Sequence, residues 1–162
     1  MGKLYNRADI VNFMKATANG ENYSRMTGFT ESGKSLNSST YERRYVEERT
    51  QRKDVTGYAT EIAYNFDRMI DNDVQDLIAE VHDKEITGKI VEIVTVNFNE
   101  AGSTAGTFKA KKRVYSVIPE ADGDGTDAYQ YSGTFAAQGD IIEGIASTTD
   151  NWESSTFTAE EE

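Results

Sequence analysis

The sequence contains no cysteine, one proline and one histidine, and it contains no long apolar run. The absence of cysteine excludes disulfides, thiolate nucleophiles and zinc sites built on cysteine ligands. No stretch approaches the roughly 20 apolar residues that cross a bilayer, and the N-terminal residues MGKLYNRADIVNF lack the apolar core of a signal peptide. We therefore expect a soluble protein that is made in a cytoplasm and has no membrane partner.

Catalytic residue types are equally scarce. His82 is the only histidine, and a lone histidine on a helix is typical of a surface or edge position. Without a second histidine, a cysteine or a G-x-S-x-G nucleophile motif, acid–base or nucleophilic chemistry would depend on carboxylates alone. The sequence therefore predicts a protein that is not an enzyme and that needs no cofactor.

Positive charge is concentrated in the first half of this 162-residue chain, whose net charge is −11. Residues 1–70 contain 11 Lys or Arg against 9 Asp or Glu, whereas residues 71–162 contain 6 against 19, and no basic residue follows Arg113. A chain this acidic gains little counterion-release affinity for nucleic acid, which argues against an ordinary DNA-binding role. The charge suits a soluble surface, or a surface that DNA slides past without binding.

A strand followed by a helix, within residues 57–85, is the clearest local pattern. In the strand, one face is made of Tyr58, Ile62, Tyr64 and Phe66, and the other of Glu61, Asn65 and Asp67. The helix, predicted for residues 72–85, carries an apolar stripe made of Val74, Leu77, Ile78 and Val81. Asp71, Asn72 or Asp73 can cap its N-terminus. We expect the helix to pack on one sheet through this stripe.

The remaining segments predict mostly strands. Alternating or β-branched patterns occur at residues 23–30, 89–99, 107–118, 128–137, 141–147 and 154–158, while residues 8–15 could form a helix or a strand. Pro119 is expected to end the strand before it. The pattern predicts one mainly-β domain over residues 1–162, an antiparallel β-sandwich or partial barrel of six to eight strands with one flanking α-helix.

Three polar segments lie outside this predicted core. They are an N-terminal arm at about residues 1–20, a long charged loop at about 47–56 and an acidic C-terminal tail at 159–162. The segment 41–54 is predicted to start as a strand and to end as the exposed loop. Two interpretations remain open for it: a solvated hairpin tip, or an arm that pairs with opposite charges on a neighbouring copy.

An acidic turn suggests a calcium site without completing the motif. Asp122, Asp124 and Asp127 offer oxygen ligands, but Gly133 occupies the twelfth position, where calcium loops carry a bidentate Glu. A hairpin turn, with positive φ at the two glycines of DGDG, is the better interpretation.

A second motif resembles a phosphate-binding loop. Residues 28–35 fit the pattern G-x-x-x-x-G-K-S. No buried strand precedes the segment and no periodic helix follows it, so we do not expect a nucleotide site.

Several segments, in order, resemble one protein family. They are RMTGFT (25–30), the Y-x-x-x-Y-V-E-E-x-T-x-R-x-D-V-T-G-Y run (41–58), IAYNFDR (62–68), IAEVHDKE (78–85), KKRVYSVIPEADGDGTDAYQYSGTF (111–135) and GDIIEGIASTTDNW (139–152). Together they are similar to the major tail protein, or tail tube protein, of long flexible-tailed phages that infect Gram-positive bacteria. The resemblance covers the chain from about Ala8 to Phe157.

This resemblance implies a fold and a structural role. Proteins of the family have a β-sandwich with a flanking helix, and they form hexameric rings that stack into a tube through which the genome is ejected. It implies partners of three kinds: further copies of the chain, other tail proteins (tape measure, tail terminator and distal tail protein), and DNA that passes without specific binding. The implied location is the virion tail, after synthesis in the bacterial cytoplasm.

The resemblance also suggests roles for charged residues. Ring stacking is expected to use the charged loop, through Glu47, Glu48, Arg49, Arg52, Lys53 and Asp54. Glu61 and Asp67, on the polar face of the strand before the helix, are expected to face the lumen. The family implies no catalytic residue, cofactor or metal. The alternative hypothesis is a soluble β-sandwich recognition or decoration module, assisted by calcium at the acidic turn.

Overall fold

The computed structural model describes residues 2–15, 22–124 and 126–159. In these residues, eleven strands and one α-helix follow a short 3-10 turn at Arg7–Asp9. The strands are β1 (Ile10–Met14), β2 (Asn22–Arg25), β3 (Phe29–Ser35), β4 (Ser39–Arg43), β5 (Arg52–Gly57), β6 (Glu61–Asp67), β7 (Ile90–Ala101), β8 (Phe108–Asp124), β9 (Gln130–Ala137), β10 (Ile142–Ser147) and β11 (Ser154–Ala159), and the helix is α1 (Asp73–Asp83). The predicted mainly-β fold with one flanking helix is confirmed, although the described residues form more strands than predicted.

Six of the strands close into an antiparallel barrel. They follow the order β10, β11, β2, β1, β7 and β8, and β8 pairs back onto β10. At this closure Gly144 lies opposite Ala110. A side chain at Gly144 would collide with the carbonyl group of Thr158 and the ring of Phe157. Closure of the barrel removes free strand edges, which would otherwise promote aggregation.

The long strand β8 extends beyond the barrel. From Tyr115 onward it pairs with β9, and the sheet continues through β6 to β3. Pro119 was predicted to end this strand, but β8 continues to Asp124. Pairing with β7 ends at Ser116, so beyond that residue β8 has a partner only on its β9 side. A proline is tolerated there because the other side of the strand makes no ladder.

The helix α1 lies within two residues of its predicted bounds. The Asn72 side chain caps it by accepting a hydrogen bond from the Gln75 N–H, with an N–O distance of 3.2 Å. The fully buried Gln75 side chain fastens this end of the helix to the sheet. Its amide donates to the carbonyl groups of Thr27 (3.0 Å) and Asp67 (2.9 Å) and accepts from the Met69 N–H. The amphipathic stripe did not reveal Gln75, because the residue lies at a position expected to be polar.

Two apolar cores stabilise the domain. The first lies between α1 and the sheet and contains Met14, Ile62, Tyr64, Phe66, Val74, Ile78, Ala79, Val81, Val91, Ile93, Tyr115, Val117, Tyr131 and Phe135, with Leu77 packed at its edge. The second fills the barrel and contains Val11, Phe13, Tyr23, Val94, Val96, Ala110 and Ala146, bordered by Phe98, Phe108, Trp152 and Phe157. Consecutive parts of β7 therefore contribute to both cores.

The predicted N-terminal arm is wrong over part of its length. Residues Ile10–Met14 form β1 between β2 and β7, and Phe13 and Met14 are fully buried there. Residues 1 and 16–20 of the arm, and 160–162 of the predicted tail, lie outside the described residues. Tyr58 was expected on the buried face of β6, but it precedes that strand and is 62% exposed.

Candidate assembly surfaces

The hairpin formed by β4 and β5 stands apart from the main sheet. None of residues 39–57 is buried, and only Arg43, Glu48 and Gly57 are even partly so. The prediction of a loop at residues 47–56 is wrong for residues 52–56, which belong to β5. A two-stranded hairpin without a partner surface is marginally stable in water. The segment thus has the geometry of a contact arm.

The base of the hairpin is closed by hydrogen bonds to the body of the domain. The Ala59 N–H donates to the Leu36 carbonyl group (3.1 Å), and the Asn37 side-chain amide donates to the Ala59 carbonyl group (3.0 Å). The two ends of the hairpin are therefore adjacent. We therefore expect the body to retain its fold when the segment between them is replaced by a short turn.

Charged residues order the hairpin internally. Its ion pairs join Arg43 to Asp54, Arg52 to Glu48 and Lys53 to Glu42. Arg43 also stacks on the rings of Tyr41 and Tyr45, with guanidinium-to-centroid distances of 5.1 and 5.6 Å, and Arg52 lies 5.5 Å from the Tyr45 ring centroid. Contacts of this exposed kind are individually weak.

The residues predicted for ring stacking divide into two groups. Glu48, Arg52, Lys53 and Asp54 already form ion pairs inside the hairpin. Glu47 and Arg49 are exposed at the tip and form no ion pair with another residue of the described ranges. Val46, also at the tip, is fully exposed. Val46 was not predicted as a contact residue, because one apolar residue among charges produces no periodic signal.

The face of β6 that points away from α1 is polar and acidic. Glu61 is exposed there, and Asp67 is partly buried and accepts a hydrogen bond from the Gln130 side chain (2.8 Å). The two carboxylates share a face but lie six positions apart, or roughly 20 Å along the strand. Glu31 of β3 pairs next to this row, and Glu120 accepts from Thr134 of β9. We call the side of β3, β6 and β9 that carries Glu61 and Asp67 the acidic face.

No positive charge lies on the acidic face within the described strands. β6 and β9 contain no Lys or Arg. Lys34 of β3 pairs with Ile62, whose side chain belongs to the core on the opposite face. Because successive side chains of a strand point to opposite faces, Lys34 lies on the face opposite to Glu61 and Asp67.

His82 is buried, which corrects the expectation of a surface or edge position. Its side chain is 2% exposed, and its Nε2 lies 2.8 Å from the Tyr64 hydroxyl. Burial lowers the pKa of His82, and the carboxylates of Asp122 and Asp83 oppose that shift. Burial, with the negative charge of Glu120 as a second cause, raises the pKa of Tyr64. In the neutral pair, Tyr64 donates to Nε2 and the Nδ1–H points towards Asp122, 3.7 Å away.

The acidic turn is engaged by neighbouring side chains. Asp122 accepts a hydrogen bond from the Tyr129 hydroxyl (2.9 Å) as well as facing His82. Gly123 has the predicted positive φ, at 86°, whereas Gly125 lies outside the described residues. No group of three or more His, Cys, Asp or Glu side chains that could hold a metal ion occurs in the part of the chain that the structure describes.

The segment that fits the phosphate-loop pattern is mostly a strand. Gly28 has a positive φ of 81°, but Phe29–Ser35 forms β3 and pairs with β6 along its length. The Gly-Lys-Ser triplet is therefore extended instead of wrapping an anion at the start of a helix. The nucleotide-site pattern is a chance match, as expected from its context.

A cleft of about 700 Å³ opens between β3 and the outer surface of β1, β7, β8 and β10. Its charged lining consists of Arg7, Lys34, Lys109, Lys111 and Arg113 against Glu100 and Glu143. Five cations against two carboxylates leave an excess of three positive charges, in a chain whose net charge is −11. We call this feature the basic cleft. The alternation of Lys109, Lys111 and Arg113 was visible in the sequence, but the contributions of β1 and β3 depend on the fold.

No family model and no curated protein matches the sequence. Solved structures do match the fold. One is a chain in the tail of an empty gene transfer agent particle, determined with helical refinement and C6 symmetry: the TM-score is 0.60 at 13% identity, over 85% of this chain and 97% of that one. Another is a chain in the virion of a native gene transfer agent particle, with a TM-score of 0.57 at 12% identity, over 96% and 100%.

At this level of identity the similarity concerns the fold. It extends over nearly the whole of both neighbours, so it is not confined to one shared sheet motif. The chain therefore has the fold of components of tail and virion assemblies. Within the described residues, no helix is long and apolar enough to cross a membrane.

Proposed function

We propose that this chain is a structural, non-catalytic subunit that assembles into hexameric rings, which stack into a phage-like tail tube. The observation that carries the proposal is the match in fold to a chain from a tail with C6 symmetry, which covers 85% of this chain and 97% of that one. The motif resemblance to major tail proteins of long flexible-tailed phages of Gram-positive bacteria supports the same role.

In this proposal the acidic face lines the channel. Glu61 is exposed on it, Asp67 is fixed by Gln130, and the strands β6 and β9 contain no basic residue. A wall of this charge repels DNA phosphates, so the genome passes during ejection without binding. Neutralising Glu61 and Asp67 would leave the fold unchanged and increase retention of DNA in the tube.

The hairpin contacts the next ring. Its tip presents Val46 between Glu47 and Arg49, and these two charges make no ion pair among the described residues. The ion pairs Arg43–Asp54 and Lys53–Glu42 join β4 to β5 within the hairpin. Further partners in the tail are the tape measure, terminator and distal tail proteins, and the subunit is made in the bacterial cytoplasm before it enters the virion tail.

The test is the assembly state of the purified protein as its concentration rises. Sedimentation velocity and negative-stain microscopy are expected to show six-fold rings and then tubes. A strict monomer at the highest concentration, with and without the other tail proteins, would overturn the proposal.

Replacing residues 38–58 by a Gly-Asn turn tests the role of the hairpin. The variant keeps the Ala59–Leu36 hydrogen bond at the base, so we expect an unchanged circular dichroism spectrum and rings that do not stack. A matched variant, with Val46, Glu47 and Arg49 changed to serine, is expected to retain the hairpin and separates the chemistry of the tip from its length. Tubes of normal length from the turn variant would exclude a stacking role for the hairpin.

A further inference from the structure

The basic cleft gathers five of the 17 Lys and Arg residues of the chain into one feature. Six Lys or Arg residues elsewhere in the described ranges form ion pairs, namely Lys15, Arg43, Arg52, Lys53, Arg68 and Lys84. None of the five cations of the cleft forms an ion pair with another described residue. Lys109 and Lys111 are exposed to solvent. The cleft thus concentrates positive charge that this subunit does not neutralise.

Backbone groups position part of this charge. Arg113 donates through Nε to the Gly139 carbonyl group (2.7 Å), and Arg7 donates to the Ile10 carbonyl group (2.8 Å). A neutral carbonyl group orients a guanidinium without cancelling its charge. The cleft therefore presents oriented guanidinium groups together with exposed lysines, an arrangement that suits carboxylates or phosphates.

The same strand that supplies most of the cleft carries the opposite charge at its other end. β8 carries Lys109, Lys111, Lys112 and Arg113 near its start and Glu120 near its end, where the acidic turn of Asp122, Asp124 and Asp127 begins. The basic and acidic ends are about ten residues apart, or roughly 30 Å along an extended strand. One subunit cannot bring these two ends of a single strand together, but two subunits can.

We propose that the outer end of β8 and the acidic turn of one copy, through Glu120 and Asp127, dock into the basic cleft of the next copy. The contact is heterologous, because different surfaces of the two copies meet, so it repeats from copy to copy and closes into a ring or continues along an axis. It rests on the proposed tube function and adds to it a specific pair of surfaces. The acidic turn has the charge that complements the cleft. Residues 114–162 contain no basic residue, and the turn with Glu120 is the densest group of carboxylates in the described part of this segment. Glu120 and Asp127 are exposed there.

Charge reversal tests the contact on the full chain. The cleft variant is Lys109→Glu with Lys111→Glu, and the turn variant is Glu120→Lys with Asp127→Lys. Each purified variant alone is expected to lose assembly by sedimentation velocity, because the cleft variant presents more carboxylates than cations to an acidic turn and the turn variant has lost the net negative charge of its turn. An equimolar mixture is expected to recover part of the assembly, since the unchanged cleft of the turn variant can accept the unchanged turn of the cleft variant.

Controls separate this contact from general effects of charge. Lys84→Glu with Lys89→Glu makes the same change in net charge away from the cleft and is expected to assemble like the wild type. Circular dichroism of every variant checks the fold. The wild-type contact should weaken as sodium chloride is raised, because exposed charges are screened by salt.

The outcomes distinguish this inference from the tube proposal. If the wild type forms no rings or tubes, the tube proposal fails. If the wild type and the cleft variant assemble equally, the docking contact is wrong and the tube proposal stands. If the cleft variant fails while the turn variant assembles normally, another acidic segment occupies the cleft and the assignment to the turn is overturned.

Discussion

The body of the domain and the β4–β5 hairpin use aromatic and charged residues in opposite ways. In the body, Tyr64 and Phe135 are buried and stack with their ring centroids 4.5 Å apart. In the hairpin, Tyr41 and Tyr45 lie in solvent and stack on Arg43. Buried ring pairs contribute large apolar areas, whereas exposed ion pairs and cation–π contacts contribute little. The stability of the subunit therefore resides in the body. The hairpin contributes little to it and remains available for contact with other copies.

The largest expected effect is that of a cavity in the body. Phe135→Ala is expected to lower the free energy of unfolding by about 3–5 kcal/mol, because the ring is fully buried in the first core. Urea unfolding followed by circular dichroism measures the change. Tyr45→Ala is the matched aromatic truncation in the hairpin, with an expected loss of about 1 kcal/mol or less. Equal losses in the two variants would remove the distinction between the regions.

A smaller effect is expected from pH, through the one buried histidine. Burial lowers the pKa of His82 in the folded state, so the unfolded state, with an ordinary pKa of about 6.5, takes up the proton first. The stabilising effect of neutral His82 is therefore complete above about pH 6.5 and is lost as pH falls below it, by at most about 1.4 kcal/mol per pH unit.

Unfolding measured at several pH values between 5.5 and 7.5 tests this prediction. The groups that face His82 are Tyr64, Tyr131, Asp83 and Asp122, and the tyrosines stay protonated over this range because burial raises their pKa. His82→Gln removes the titrating group and is expected to flatten the pH dependence. A slope that persists in this variant would assign the effect to other residues.

The smallest effect is expected from the charges of the hairpin. Arg52→Ala removes the ion pair with Glu48 and the contact with the Tyr45 ring, yet the expected change in the free energy of unfolding is within about 0.5–1 kcal/mol because these contacts are exposed. Thermal unfolding of dilute monomer measures it, with Lys84→Ala on α1 as a control that also removes one exposed ion pair. A loss as large as that of Phe135→Ala would show that the hairpin supports the body.

The bounds of α1 were predicted well because the residues that define them lie in or next to the helix. The cap at Asn72 and the stripe from Val74 to Val81 depend only on residues of the helix itself. The strand β5 was missed for the opposite reason. Both of its faces are exposed, so Arg52–Gly57 shows no alternation of apolar and polar residues.

Features that join distant segments could not be read from the sequence. Closure of the barrel pairs Ile142–Ala146 with Phe108–Lys112, and no local pattern specifies that partner. His82 was expected at a surface or edge position because a lone histidine on a helix is typical of such positions, and only the fold places Tyr64 next to its ring. The basic cleft needed the same information, since Arg7 and Lys34 reach it from β-strands or turns distant in the chain.

The length of β8 has a mechanical consequence. This single strand of 17 residues belongs to the barrel at one end and to the β9–β6–β3 sheet at the other, and it spans roughly 55 Å of covalent backbone. A pulling force applied between its two ends is carried by peptide bonds, and the hydrogen-bonded neighbours are loaded in shear along the strand. The subunit can therefore resist stretching along this direction without depending on the strength of any single loop.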